Sequence, residues 1–312
     1  MSVPGWWRAR PVEFSRRVWL LMHALDLLPW PCGEQILAWL FMGVGLARRG
    51  VRSDALAWAS AQRARSTWRL ALAVLAFRGR WLARTALIGI RSPGQLRRHL
   101  VVRGEEHLAS TSGGAILLGF HLGPPGADVA LRAVGHRLVW LGGTRRVAAG
   151  WRRDAWRPYL HPGEHLSADE QGTMWPALLH RAHRIILGGG RIFVMADGGG
   201  AQEVHHISLP GEDMPVRAGW LALHRHSGVR VLPVLTHLEG RTQVVTIHPP
   251  LPMRSADGAG DCRGWQAILT SLVADYVHRF PEQCFVLAFR AMFRADALRS
   301  SAMSAASRKE QR

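Results

Sequence analysis

Lysine is all but missing from this chain. Lys309 is the only one among 40 basic residues, so no Gly-Lys-Ser/Thr phosphate loop exists and nucleotide binding of that kind is excluded. Cysteine is scarce as well. Cys32, Cys262 and Cys284 are odd in number and far apart, which excludes a disulfide framework and a zinc-finger spacing and fits a reducing compartment. No Gly-x-Ser-x-Gly elbow occurs, so the chain is not a serine hydrolase of that design. Long apolar runs are lacking too. Residues 18–30 contain Asp26 and Pro29, and residues 36–46 are short, against the roughly 20 apolar residues that a spanning helix needs. Arg8, Arg10, Arg16 and Arg17 precede the first run, but no small-residue cleavage site follows it. These runs predict an interfacial or hairpin-like anchor.

What is abundant is arginine and tryptophan. The net charge is +18 and the isoelectric point about 11.6. Such a surface seeks polyanions, and arginine contacts phosphate through a forked, permanently charged group. Fourteen tryptophans stand against two tyrosines, and tryptophan favours the membrane–water interface. Arg63, Arg65, Arg69, Arg78, Arg80 and Arg84 interleave with Trp68, Leu72, Leu75, Trp81 and Leu87, the pattern of basic amphipathic helices on an anionic membrane. A nucleic-acid binder is the competing reading of the charge. Arginines distributed over apolar helices fit lipid better, and no nucleic-acid motif is present, so no nucleic-acid partner is expected.

The chain divides by texture into three parts. Residues 1–92 read as a helical, membrane-associating region after a loose tail carrying Trp6 and Trp7. Residues 93–299 alternate short apolar runs with longer mixed segments, and residues 300–312 form a polar, disordered tail. Strands are predicted at 100–102, 115–120, 138–141, 191–196, 229–235 and 243–247, and helices at 128–134, 174–187, 217–226 and 265–280. The alternation predicts an α/β fold: a mixed, mostly parallel sheet flanked by helices.

Four constellations can carry chemistry. The run Ala115-Ile116-Leu117-Leu118-Gly119-Phe120 ends at His121, and Gly123-Pro124-Pro125-Gly126 then forces a turn toward Asp128, where a helix can begin. Histidine titrates near pH 6.5, and a carboxylate on its second nitrogen fixes the tautomer and stabilises the cation. Gly123 would let a substrate approach the backbone. A second run, 191–196, ends at Asp197 and Gly198-Gly199-Gly200, whose amides can face an anion. A third segment is rich in turn residues and leads into a helix whose first turn is expected to hold Arg217, beside exposed N–H groups suited to phosphate. Arg145 and Arg146, after Gly142-Gly143-Thr144, are further candidates for an acceptor phosphate. The pairs His205-His206, His224/His226 and His161/His165 lack a carboxylate-rich partner motif, so no metal and no cofactor is expected.

Taken in order, these blocks resemble the lysophospholipid acyltransferase superfamily, and more closely its bacterial lipid A (lauroyl/myristoyl-type) branch. The resemblance runs over residues 100–290. It rests on Val102-Arg103-Gly104-Glu105-Glu106-His107-Leu108, the strand ending at His121, the strand ending at Asp197, Val229-Arg230-Val231-Leu232-Pro233-Val234 and Pro281-Glu282-Gln283. It implies acyl transfer from a thioester donor, acyl carrier protein or acyl-CoA, to a hydroxyl of a lipid or glycolipid. His121 would be the general base and Asp128 its orienting acid, on the cytoplasmic face of a bacterial inner membrane. The family motif places an acid five residues after the histidine, where this chain has Gly126. Asp128 is the expected substitute; Asp197 and Glu203 are the alternatives, and a non-catalytic lipid-binding member is the remaining one.

Overall fold

The computed structural model describes residues 28, 30–87, 93–109, 113–142, 165–167, 175–197, 204–209, 212–253 and 262–289. Three helices come first: α1 (Trp30–Ala47), α2 (Arg49–Ala61) and α3 (Thr67–Leu87). The short α4 (Pro93–Arg97) then leads into β1 (Leu100–Arg103), α5 (Glu105–Ala109), β2 (Ala115–Gly119), α6 (Ala127–Ala133), β3 (Val139–Gly142) and β4 (His165–Ser167). There follow α7 (Trp175–Leu187), β5 (Arg191–Met195), β6 (Val204–Leu209), β7 (Glu212–Arg217), α8 (Gly219–Ser227), β8 (Arg230–Glu239) and β9 (Thr242–Ile247). The chain continues into α9 (Cys262–Arg279), a 3₁₀ turn at Pro281–Gln283 and α10 (Phe285–Ala288).

Among the described residues seven strands form one sheet in the order β1-β9-β8-β2-β5-β3-β4. Only the β8–β9 pair is antiparallel; the other five neighbouring pairs run parallel. The fold is therefore α/β with a mixed, mostly parallel sheet, as the alternation of runs predicts. β2 lies at the centre and all five of its residues are buried. A strand covered on both faces reads as an unbroken apolar run, and Ala-Ile-Leu-Leu-Gly is such a run. The period of two then sorts its side chains. Ile116 and Leu118 join the larger core with Leu178 of α7, Trp220 of α8 and Leu269 of α9. Ala115 and Leu117 join the opposite core with Ala130 and Leu131 of α6. Each fully buried leucine of this kind stabilises the fold by roughly 1.5–3 kcal/mol.

The N-terminal helices share the larger core. Val51, Trp58, Val74 and Phe77 belong to it, together with Leu287 and Phe289 at the other end of the described chain. Trp58 donates its indole N–H to the carbonyl of Pro281 at 3.0 Å. α1 and α3 run in opposite directions and touch closely at Gly79, where a Cβ would lie 2.5 Å from Cα of Ala38. At the other end of this contact Arg84 is buried against Glu34 at 3.1 Å and also reaches Gln243 and the carbonyl of Arg241. Burial lowers the Arg84 pKa and the Glu34 charge opposes that shift. A buried ion pair of this kind persists because hydrogen bonds compensate its lost hydration.

Burial divides the expected arginine stripe. Arg78 and Arg84 lie inside, and Arg80 is half-buried and bonds Gln35 at 3.1 Å. Only Arg63, Arg65 and Arg69 of the six are exposed. The stripe is thus not one outward face. In its C-terminal half Arg80 and Arg84 turn toward Gln35 and Glu34 of α1, and Arg78 lies over the Phe289 ring. Among the described residues no helix is long and apolar enough to cross a membrane. The segments carrying Trp6, Trp7 and the C-terminal tail lie outside the described residues.

Candidate active site

β2 and β5 are parallel neighbours in register, Ala115 beside Arg191 through Gly119 beside Met195. The pairing persists just past the strands, because the Ala196 N–H donates to the carbonyl of Gly119 at 2.8 Å. Two residues beyond the last pair on each strand come His121 and Asp197. The two strand-end residues that the sequence marks separately are thereby register partners. They lie at the carboxyl ends of central strands, where chains leaving an open α/β sheet part and ligands bind.

Asp197 holds His121 with both carboxylate oxygens. The backbone N–H of His121 donates to Oδ2 at 2.8 Å, and Nδ1 lies 2.9 Å from Oδ1. A carboxylate only accepts, so Nδ1 carries the hydrogen and Nε2 carries the lone pair of the neutral ring. The histidine side chain is 43% exposed and the aspartate side chain 9%. The arrangement is a base facing solvent, backed by a shielded acid. Such a pair abstracts a proton at Nε2 and keeps the resulting cation beside a negative charge.

This geometry corrects the expectation for Asp128. The orienting position at Nδ1 belongs to Asp197, which the sequence offered as the alternative. Asp128 is buried in the first turn of α6, after Gly126 at φ +84°. A first-turn acid there complements the positive end of the helix.

Gly123 also differs from expectation. It is buried, its N–H donates to the carbonyl of Gln283 at 3.1 Å, and its φ is +72°. A Cβ there would come within 1.8 Å of the Thr236 carbonyl oxygen. Its glycine character thus serves close packing of the turn against β8, and its amide is not open to a substrate.

Arg217 is the last residue of β7, one residue before the Ala218 cap of α8, and so not in the first turn of a helix. The segment before it is strand: β6 and β7 pair as an antiparallel hairpin, with Val204 opposite Arg217. Pro215 tolerates this place because a two-stranded ribbon leaves each strand an open edge. The Arg217 N–H donates to the carbonyl of Ala196 at 2.7 Å, which sets this half-buried arginine next to the Asp197 turn. Arg145, Arg146, Gly198 and Glu203 lie outside the described residues. Among the described residues no group of three His, Cys, Asp or Glu is placed to hold a metal ion.

Three supporting residues are not among the site residues expected from the sequence. Thr236, Tyr276 and Gln283 are each 3–4% exposed and bond the turn after His121 or the strand beside it. For Gln283 the available signal is the Pro281-Glu282-Gln283 block. Thr236 and Tyr276 sit in an apolar strand and helix, where one polar residue is a faint mark.

The chain matches no protein-family model and no curated protein sequence. Among solved structures it is similar to the 1-acyl-sn-glycerophosphate (LPA) acyltransferase PlsC from Thermotoga maritima. That likeness has 14% identity and a TM-score of 0.40 over 85% of this chain and 96% of that one. An overlap this loose carries no argument about what the site does.

Proposed function

We propose that the protein is an O-acyltransferase that moves a fatty acyl group from a thioester to a hydroxyl of a membrane lipid. The observation that carries this reading is the His121–Asp197 pair, with the sequence resemblance behind it. The acceptor hydroxyl gives its proton to Nε2 of His121 as its oxygen bonds to the thioester carbonyl carbon. The tetrahedral intermediate then collapses, the carbon–sulfur bond breaks, and the thiolate takes the proton back from the imidazolium. A thiolate leaves readily, so one base returning one proton balances the cycle. Asp197 stabilises the cation between the two transfers.

The finer reading follows the resemblance: acyl carrier protein or acyl-CoA as donor, and a glycolipid of the lipid A precursor type as acceptor. Both donors are acidic and suit a chain of net charge +18. Arg217, whose backbone bonds the residue before Asp197, is the arginine we assign to a phosphate of either substrate. The acid absent at Gly126 has a counterpart in Asp197 on the neighbouring strand, which supports the catalytic reading over a non-catalytic lipid-binding member.

The lipid surface is part of the same proposal. α1 buries Leu37 and Ala38 and exposes Ile36, Trp39, Leu40, Gly43, Val44 and Ala47, a stripe at helical spacing. Trp39 is 63% exposed and Leu40 59%. Exposed Arg48 and Arg49 follow directly, and exposed Arg63, Arg65, Trp68 and Arg69 precede or open α3. An apolar face beside arginines and tryptophan suits an anionic bilayer at its headgroup level. We place the protein accordingly at the cytoplasmic face of a bacterial inner membrane, where thioester donors reside.

The test is to incubate the purified protein with labelled acyl carrier protein or acyl-CoA and vesicles holding a panel of hydroxyl-bearing lipids. Label moving into one lipid class, matched by loss of that acylated lipid in cells without the protein, is expected. Label remaining on every thioester, with an unchanged lipid profile, would overturn the reading.

A further inference from the structure

We infer that Gln283 is a positioning residue for the His121 base, acting through the backbone of Gly123; the inference rests on the acyl-transfer reading above. β2 pairs with β8 as far as Gly119 beside Val234 and then turns away at His121. β8 runs on to Glu239, so the edge it turns toward β2 needs other partners. Side chains supply them. The carbonyl of Thr236 accepts from the Tyr276 hydroxyl at 2.7 Å. Two residues on, the Leu238 N–H donates to Oε1 of Gln283 at 2.7 Å, and Nε2 of Gln283 donates to the Leu238 carbonyl at 3.1 Å.

A primary amide offers a donor and an acceptor side by side, as a peptide group does. Gln283 therefore stands where a strand's backbone would have stood had β2 continued. The same residue accepts the Gly123 N–H on its own carbonyl. One side chain and one carbonyl thus fasten the departing turn to the strand it has left. Thr236 adds its hydroxyl, within reach of the carbonyls of Leu122 at 3.2 Å and Pro124 at 2.9 Å. The turn is held from the β8 side by Gln283 and Thr236, and from the β5 side by Asp197 on the His121 N–H. The imidazole lies between these anchors, and its approach to Asp197 depends on both. Gln283 itself lies 4% exposed behind the turn, two residues removed from the base, and contacts it only through the chain.

Gln283→Met keeps the volume and removes both side-chain bonds to Leu238, together with the longer one that Nε2 donates to Oε1 of Glu282 at 3.3 Å. The expected result is a fall in kcat of about 10- to 100-fold, with KM close to wild type, since displacement of a base on the order of 1 Å has that scale of effect. A second readout does not need the reaction. The ¹⁵N spectrum of His121 should pass from a single Nδ1–H tautomer to a mixture. Leu108→Ala removes a fully buried side chain from the core on the other side of the sheet. It should lower Tm while leaving kcat and the His121 spectrum as they are. A Gln283→Met protein with lowered Tm but wild-type kcat and tautomer would overturn the inference. If that variant does not fold, Gln283→Glu carries the same comparison, since an ionised carboxylate keeps an acceptor for the Leu238 N–H and loses the donor to its carbonyl, with the same shift expected and the same unchanged result decisive against the inference. Should wild type transfer no acyl group, the reading it rests on fails, and the tautomer measurement still decides whether Gln283 positions the ring.

Discussion

His121 has two ring nitrogens, and its surroundings give them different tasks. Nδ1 is committed to Asp197 at 2.9 Å, which leaves Nε2 as the basic atom. Asp197→Asn would replace an obligate acceptor with a group that can also donate, and so permit the wrong tautomer. Initial rates of acyl transfer should fall by about 10²- to 10⁴-fold in that variant. Asp128→Asn keeps the shape of a buried first-turn residue and should stay on the order of wild type. The reverse ranking would return the orienting role to Asp128. At this scale the sequence shows His121 and Asp197 well, because each ends an apolar run and is followed by glycines. What it hides is their pairing. Asp128 lies seven residues from His121 and Asp197 seventy-six, yet parallel register brings the distant one into contact.

Among the elements, those with strong periodicity are legible. The runs at 115–120, 191–196 and 243–247 fall within a residue or so of β2, β5 and β9. The β6–β7 hairpin is not legible in the same way. Pro210-Gly211 and Pro215 read as loop chemistry, and the alternation in Val204–Leu209 carries two histidines. Exposure is harder still to read than periodicity. Arg78 and Arg84 look like solvent-facing charges until distant residues bury them: the Phe289 ring under Arg78, and Glu34, fifty residues before Arg84, as the ion-pair partner of Arg84. The exposed face of α1 is the element with a direct consequence. Replacing Trp39 and Leu40 together by glutamate removes apolar contact worth roughly 1.5–3 kcal/mol per side chain. Sedimentation with vesicles rich in anionic phospholipid should show binding weakened by at least about tenfold at unchanged Tm. Undiminished binding would remove α1 from the lipid-facing surface.

Across the whole molecule, the sheet, its two cores and the N-terminal helices combine to present one base. The helices that meet lipid in this account also share the core that holds α9 and the Pro281–Gln283 turn. That turn holds Gly123, and Gly123 follows His121 by two residues. The helices proposed to meet lipid, the core and the base thus form a continuous path through packed residues. The net charge of +18 belongs to this scale as well, because under the proposed function it would attract acidic donors and anionic lipid without selecting among them. Selection and turnover both fall to the site. The most direct measurement is therefore the single-turnover rate of acyl transfer from labelled thioester to vesicle lipid by wild type and by His121→Ala, with folding of both verified by circular dichroism. The account predicts a loss of at least about 10²-fold in the variant. Equal rates in two folded proteins would contradict it.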